Sequence, residues 1–293
     1  MNFFVENFRH FPQSWQFNLG NTVDDAVKSF SRNHQVGLRA IKDTIIFIVG
    51  GIYSALDNIP WIVLVLFVGA LAWYLTKKWY VGLLYAVMLT FVGCCGLWVQ
   101  MLQTLSIIIA SVILCIILGF PLGVLLAVSE RANSIIRPVL DTMQTMPSWV
   151  YLVPAVMLFS VGMTPALIAT TIYAIVPIIR MTSHGLIYVD KEMLEAAYAF
   201  GSTPMQTLIK VQIPQALPTI MTGVNQTIMM AMAMVVTCSL IGANGLGMEI
   251  LIATNRVEMG KSLLPGICIV IVAIIMDRLT QHAIRRRESK TDA

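Results

Sequence analysis

The chain is 293 residues long, 57% hydrophobic and only 12% charged, with a mean hydropathy of +0.79. Soluble domains carry roughly 25% charged residues, so this chain cannot dress an ordinary wet surface and reads as an integral membrane protein. Its net charge of +4 sits in loops and at the C-terminus, and without a basic run before Arg285-Arg286-Arg287 it offers nucleic acid no site.

Residues 1–58 form the expected N-terminal tail. Its acidic and basic residues balance, which permits export, and its first forty residues lack the continuous apolar stretch of a cleavable signal peptide. Within it, Ile41, Ile45, Ile48, Ile52 and Leu56 recur at helical spacing, with Lys42 and Asp43 off that face. The uncharged part, 44–56, is too short to span comfortably, which predicts an interfacial amphipathic helix resting on membrane lipid.

Apolar runs follow at 60–76, 80–98, 104–128, 143–162, 165–187, 217–241 and 263–280. A spanning helix needs roughly 17–25 residues, so the expectation is an all-α polytopic membrane protein with about seven transmembrane helices. Gly119 and Gly123 flank Pro121 at a spacing that permits close helix packing, read as local packing rather than a dimer seam. Pro147, Pro154 and Pro177 are expected to kink their helices. Cys94, Cys95, Cys115, Cys238 and Cys268 lie in or beside apolar runs without metal-ligand spacing, and read as small hydrophobes.

Loop charge sets an orientation. Lys77, Lys78, Arg131, Arg137, Lys191, Lys210 and the terminal arginines all fall in alternate loops, whereas 99–103 and 162–164 are nearly uncharged and 242–262 is balanced. The positive-inside rule puts the charged set and the C-terminus in the cytoplasm and the N-terminus outside.

Residues 190–215 are a hydrophilic island in a greasy chain. Asp190 is placed to cap a short helix, Gly201 to end it, Ser202 or Thr203 to cap a second, and Pro204 to begin it. Pro214 is expected to stop that second helix. Isolated helices below about 12–15 residues are marginal, so the pair needs contact with the membrane or a partner.

The island also carries Glu195-Ala196-Ala197, three residues, Gly201, nine residues, then Val211, Ile213 and Pro214. This pattern resembles the signature of permease subunits of ATP-binding-cassette importers, with conservative swaps at the two aliphatic positions. The stretch from Leu118 through Leu186, and the glycine-rich Gly242–Gly247 segment, are similar to the core of betaine/proline permeases. The first hundred residues resemble the ProW-type glycine betaine permeases of the binding-protein-dependent inner-membrane component family.

The resemblance implies an importer core of type I fold at 100–282, two accessory helices at 59–99 and a cytoplasmic tail at 283–293. It implies that the seven island residues couple the chain to a cytoplasmic ATPase dimer, which uses ATP and Mg. It further implies a homodimer in a bacterial inner membrane that receives glycine betaine, proline betaine or proline from an extracytoplasmic substrate-binding protein, as an osmoprotectant. Choline and carnitine remain open as cargo. No cofactor or metal is expected on this chain, and no catalytic residue.

Other motifs agree. Gly260-Lys261-Ser262 imitates the end of a phosphate-binding loop, but the earlier glycine is Asn255 and no strand precedes it, so ATP must be hydrolysed elsewhere. A channel or secondary carrier would call for inverted repeats or intramembrane charge pairs, which the chain does not display. A trimethylammonium cargo is best met by aromatic faces, which singles out Trp149, Tyr151, Phe159 and Tyr173 as pathway candidates, with Trp149 first.

Overall fold

The computed structural model describes residues 19–291, with side chains from Gly20 to Ile284; residues 1–18 of the expected tail lie outside it. It is helical throughout, with no strand among the described residues. In chain order the helices are α1 (Leu19–Asn33), α2 (Gln35–Asp57), α3 (Trp61–Thr76), α4 (Trp79–Cys94) and α5 (Trp98–Val128). Then come α6 (Glu130–Thr145), α7 (Trp149–Phe159), α8 (Met163–Ile187), α9 (Lys191–Ala199) and α10 (Pro204–Thr207). A π turn at Leu208–Gln212 joins α10 to α11 (Ile213–Thr237), and α12 (Leu246–Asn255) and α13 (Met259–Thr291) complete the chain.

The centre of the bundle is α8, which packs along α5 on one side and α11 on the other. Small residues allow this closeness. A Cβ on Gly119 would lie 2.4 Å from Ile178 Cγ2, and one on Gly123 would lie 2.5 Å from Thr182 Cβ. Across the other seam, a Cβ on Gly223 would lie 2.7 Å from Met181 Cβ. The Gly119/Gly123 spacing therefore serves packing within the chain, as expected. Cys115, Cys238 and Cys268 are buried and all five cysteines are free, consistent with their reading as small hydrophobes.

Among the described residues, four helices are long and apolar enough to cross a membrane: Trp98–Val128, Met163–Ile187, Pro204–Ile241 and Met259–Ile284. The count becomes five if α2 and α3, bent by 90° at residues 58–60, are taken as one broken span. Length and composition thus do not by themselves fix the number at seven. Runs 60–76 and 80–98 become the 16-residue helices α3 and α4, about 24 Å long against a hydrocarbon core of about 30 Å.

The run at 143–162 differs for a local reason. Met146 precedes Pro147, and the ring disfavours helical backbone at that position. Met146 is accordingly extended, at φ −70° and ψ 133°, so the run divides between α6 and an 11-residue α7.

The N-terminal helix is longer than its apolar pattern suggests. α2 runs from Gln35 to Asp57, and packs on α5, α7 and α8. Ile45 and Val49 are buried and Ile52, Tyr53 and Leu56 half-buried, whereas Ile41 and Ile48 are exposed. The buried stripe therefore runs through 45, 49, 52 and 56, and it meets protein where lipid was expected.

One end of the bundle is tied by three contacts between distant segments. Gly162 N–H donates to the Ile241 carbonyl at 2.9 Å and Leu246 N–H to Thr104 Oγ1 at 2.9 Å. Gln100 Nε2 donates to Glu249 Oε1 at 3.2 Å. The expected loop at 99–103 is thus the first turn of α5, and it meets the turn before α8 and the start of α12 at a single end.

Candidate functional site

The island folds as two short helices across a glycine turn, and each junction can be traced to its residues. Asp190 Oδ1 accepts from Glu192 N–H at 2.9 Å, which caps α9 and sets a carboxylate on its positive end. At the other end Gly201 sits at φ +80°. Its N–H donates to the Tyr198 carbonyl at 2.9 Å, and Ser202 N–H donates to the Ala197 carbonyl at 3.1 Å. That pair of bonds is the Schellman ending, which requires the left-handed backbone that glycine adopts without penalty. The turn is sequence-encoded.

Thr203, rather than Ser202, caps the second helix. Its Oγ1 accepts from Gln206 N–H at 3.4 Å, while Gln206 Oε1 accepts from Thr203 N–H at 2.9 Å, and Pro204 follows at the first helical position. Ser202 instead donates to the Ala197 carbonyl at 2.7 Å and meets the buried Thr207 hydroxyl at 2.7 Å, which locks the two helices together.

Pro214 does not stop the helix, contrary to expectation. It is the second residue of α11, and the chain runs helically from Pro204 to Ile241. Proline has no N–H to offer the carbonyl four residues back. The backbone answers with a wider turn, in which Ile213 N–H donates to the Leu208 carbonyl five residues back. α10 and α11 thus form one rod with a π turn in it.

The surface of this segment is unusual for a connector. No residue of α9 is buried, and Met193, Tyr198, Phe200, Met205 and Ile209 are exposed, Phe200 by 93%. Glu195 and Ala196 are exposed beside them, Ala197 is half-buried, and Glu195 has no ion-pair partner among the described residues. Further on, Val211 and Ile213 are half-buried and Pro214 is exposed. The segment thus presents an exposed apolar surface on which Glu192 and Glu195 have no ion-pair partner among the described residues.

The four aromatic candidates do not form one cluster. Tyr151 and Tyr173 meet edge to face, with ring centres 5.9 Å apart, and the Tyr151 hydroxyl donates to the Met143 carbonyl. Trp149, at the start of α7, is 56% exposed. Phe159 is buried at the far end of α7, about 12 Å along the axis from Tyr151, beside Leu38 and Arg39 of α2.

Two polar constellations depend on helix pairing. Arg180 of α8 forms an ion pair with Asp141 of α6. Asp277 of α13 accepts from Asn225 Nδ2 at 2.9 Å and from Gln281 Nε2 at 2.7 Å, which anchors α11 to α13. Arg180, Asn225 and Asp277 were each legible as polar residues in apolar runs; their partners depend on helix pairing, which spacing does not reveal.

Comparison with known proteins agrees with this architecture. Residues 119–289 match the family described as "Binding-protein-dependent transport system inner membrane component". The glycine betaine/proline betaine transport system permease protein ProW of Escherichia coli is 44% identical over 83% of this chain and 69% of its own length. The glycine betaine/carnitine transport permease protein GbuB of Listeria monocytogenes is 44% identical over 83% of this chain and 89% of its own. Among solved structures, the MetNI methionine ABC transporter shares the fold, with a TM-score of 0.57 at 23% identity over 63% of this chain and 93% of that chain. The chain belongs to the family of binding-protein-dependent transport system inner membrane components.

Proposed function

We propose that this chain is the membrane-spanning permease subunit of an ATP-driven importer of glycine betaine, proline betaine or a related osmolyte. The observation that carries the mechanism is the continuity of the rod from Pro204 to Ile241. An exposed docking surface at 191–209 leads, without a flexible joint, into a core helix packed on α8. A partner that grips the surface moves the core.

In this reading the partner is a cytoplasmic ATPase dimer that uses ATP and Mg. This chain supplies no catalytic residue, cofactor or metal ligand. Glu195, Ala196, Ala197 and Gly201 form the grip, with Val211, Ile213 and Pro214 passing its movement into α11. Two copies of the chain line the path, and an extracytoplasmic binding protein delivers cargo to the end where Gly162, Ile241 and Leu246 meet. ATP binding to the partner favours one of two access states, and hydrolysis resets it. The Tyr151–Tyr173 pair is the better aromatic candidate for a weak cation site, because its two rings meet and Trp149 stands apart. The N-terminus lies outside and the C-terminus in the cytoplasm of a bacterial inner membrane.

The cargo class is supported by the two permease relatives, and the equal identity to the glycine betaine/carnitine protein favours carnitine as the second reading. The test is uptake of labelled glycine betaine into liposomes holding the chain with its ATPase and binding protein. Proline betaine is expected to compete well and carnitine weakly. Uptake that proceeds without ATP or without the ATPase would overturn the proposal.

A further inference from the structure

The geometry points to a site for an alkylammonium group outside the transport core, where the α2–α3 corner meets the α4–α5 corner. A cavity of about 530 Å³ lies there, lined by Asp57, Pro60, Trp61, Thr90, Cys94 and Trp98 among others. Its size falls within the range of small-ligand pockets, roughly 300–1,000 Å³. Asp57 is the one charged residue of the lining, and no cation pairs with it among the described residues.

The sign of the site follows from its parts. Four helix ends reach the cavity, the C-termini of α2 and α4 and the N-termini of α3 and α5, so their dipoles offset each other. The net field is then that of the Asp57 carboxylate. It sits at the last residue of α2, whose final turn has no basic residue to compensate it. Two indoles complete the lining, and indole faces attract ammonium groups, whether or not these can donate a hydrogen bond. A carboxylate with two indoles and no opposing cation selects an organic cation over an anion or a neutral molecule.

The surroundings suggest how such a group arrives. Ile62, Val63, Leu66 and Phe67 of α3 and Leu83 and Val87 of α4 are exposed on the helices that lead away from the cavity. Acyl chains can lie along those faces while the amine head of a phospholipid occupies the cavity. A free quaternary amine presents the same chemistry. The inference is independent of the proposed cargo, since every lining residue precedes the 100–282 core and the test reads binding.

The test uses the purified full chain in nanodiscs made of phosphatidylglycerol alone. Binding of choline chloride is followed by saturation transfer to the choline methyl protons, with sodium chloride as the ionic-strength control. A second arm adds phosphatidylethanolamine and measures how much co-purifies, by native mass spectrometry. Asp57→Asn is expected to weaken choline binding by about tenfold, Trp98→Ala to weaken it similarly, and Asp57→Glu to retain it. Loss of phosphatidylethanolamine retention in Asp57→Asn, with little choline signal in the wild type, would assign the site to the lipid head. Choline signal without lipid retention would assign it to the free amine. If neither ligand distinguishes the wild type from Asp57→Asn, the site does not exist.

Discussion

At the scale of single residues, two glycines do different work and fail in different ways. Gly123 is small because α8 lies against it: a Cβ there would also come within 2.7 Å of the Ile179 carbonyl oxygen. Backbone cannot swing aside as a side chain can, so Gly123→Leu should force α5 and α8 apart. Overpacking of this kind costs about 1–3 kcal/mol or more, and the expected result is a lower melting temperature and loss of monodisperse protein on size exclusion. Gly201 has open space where its side chain would be, and its constraint is φ +80° alone. A β-branched residue resists that backbone, at about 1–3 kcal/mol, and the cost falls on an exposed turn remote from the core. Gly201→Val is therefore expected to insert normally and keep its melting temperature while uptake falls at least severalfold. Wild-type uptake in that variant would count against the coupling role.

At the scale of elements, what was legible in the sequence was whatever depends on neighbours along the chain. Asp190, Gly201 and Pro204 announced the two short helices because caps, Schellman turns and first-turn prolines are local chemistry. The break at Pro147 was equally local, but it was read as a kink because an apolar run does not reveal whether the backbone bends or stops. The fate of Pro214 was out of reach, since a proline can end a helix or be absorbed by a π turn. Here it is absorbed, with the Ile213 N–H bonded to the Leu208 carbonyl in the widened turn.

That turn has a consequence. It inserts an extra residue per turn and so sets the rotation of the docking surface relative to α11. Pro214→Ala restores an N–H that can reach the Lys210 carbonyl four residues back, so the π turn should relax toward α geometry. The docking surface then turns by about 100°, one residue's worth of helix. Membrane insertion should be normal and coupling poor, seen as ATPase activity of the assembled complex that no longer responds to the binding protein. Normal stimulation would show that the register does not matter.

At the scale of the whole molecule, orientation is the property on which both sites depend. In the orientation proposed above, Lys77 and Lys78 face the cytoplasm, and residues 99–103, 162–164 and 242–262 lie at the outer end. The structure brings Gln100, Thr104, Gly162, Ile241, Leu246 and Glu249 to a single end. It also sets Ser31, Arg39 and Lys42 beside Ser160 at that end. The N-terminal helices therefore lie with the loops that the charge rule exports, although they are joined to them through none of the long spans. Single cysteines test this: Asn33→Cys and Lys78→Cys, both at exposed positions, each in a chain otherwise free of cysteine. A maleimide that cannot cross the membrane is expected to label position 33 in intact spheroplasts, and position 78 only after permeabilisation. Protection of both positions until permeabilisation would make α2 a span of its own and leave the island in place. Labelling of position 78 in intact spheroplasts would invert the topology, the island would no longer face an ATPase, and the transport reading would fall with it.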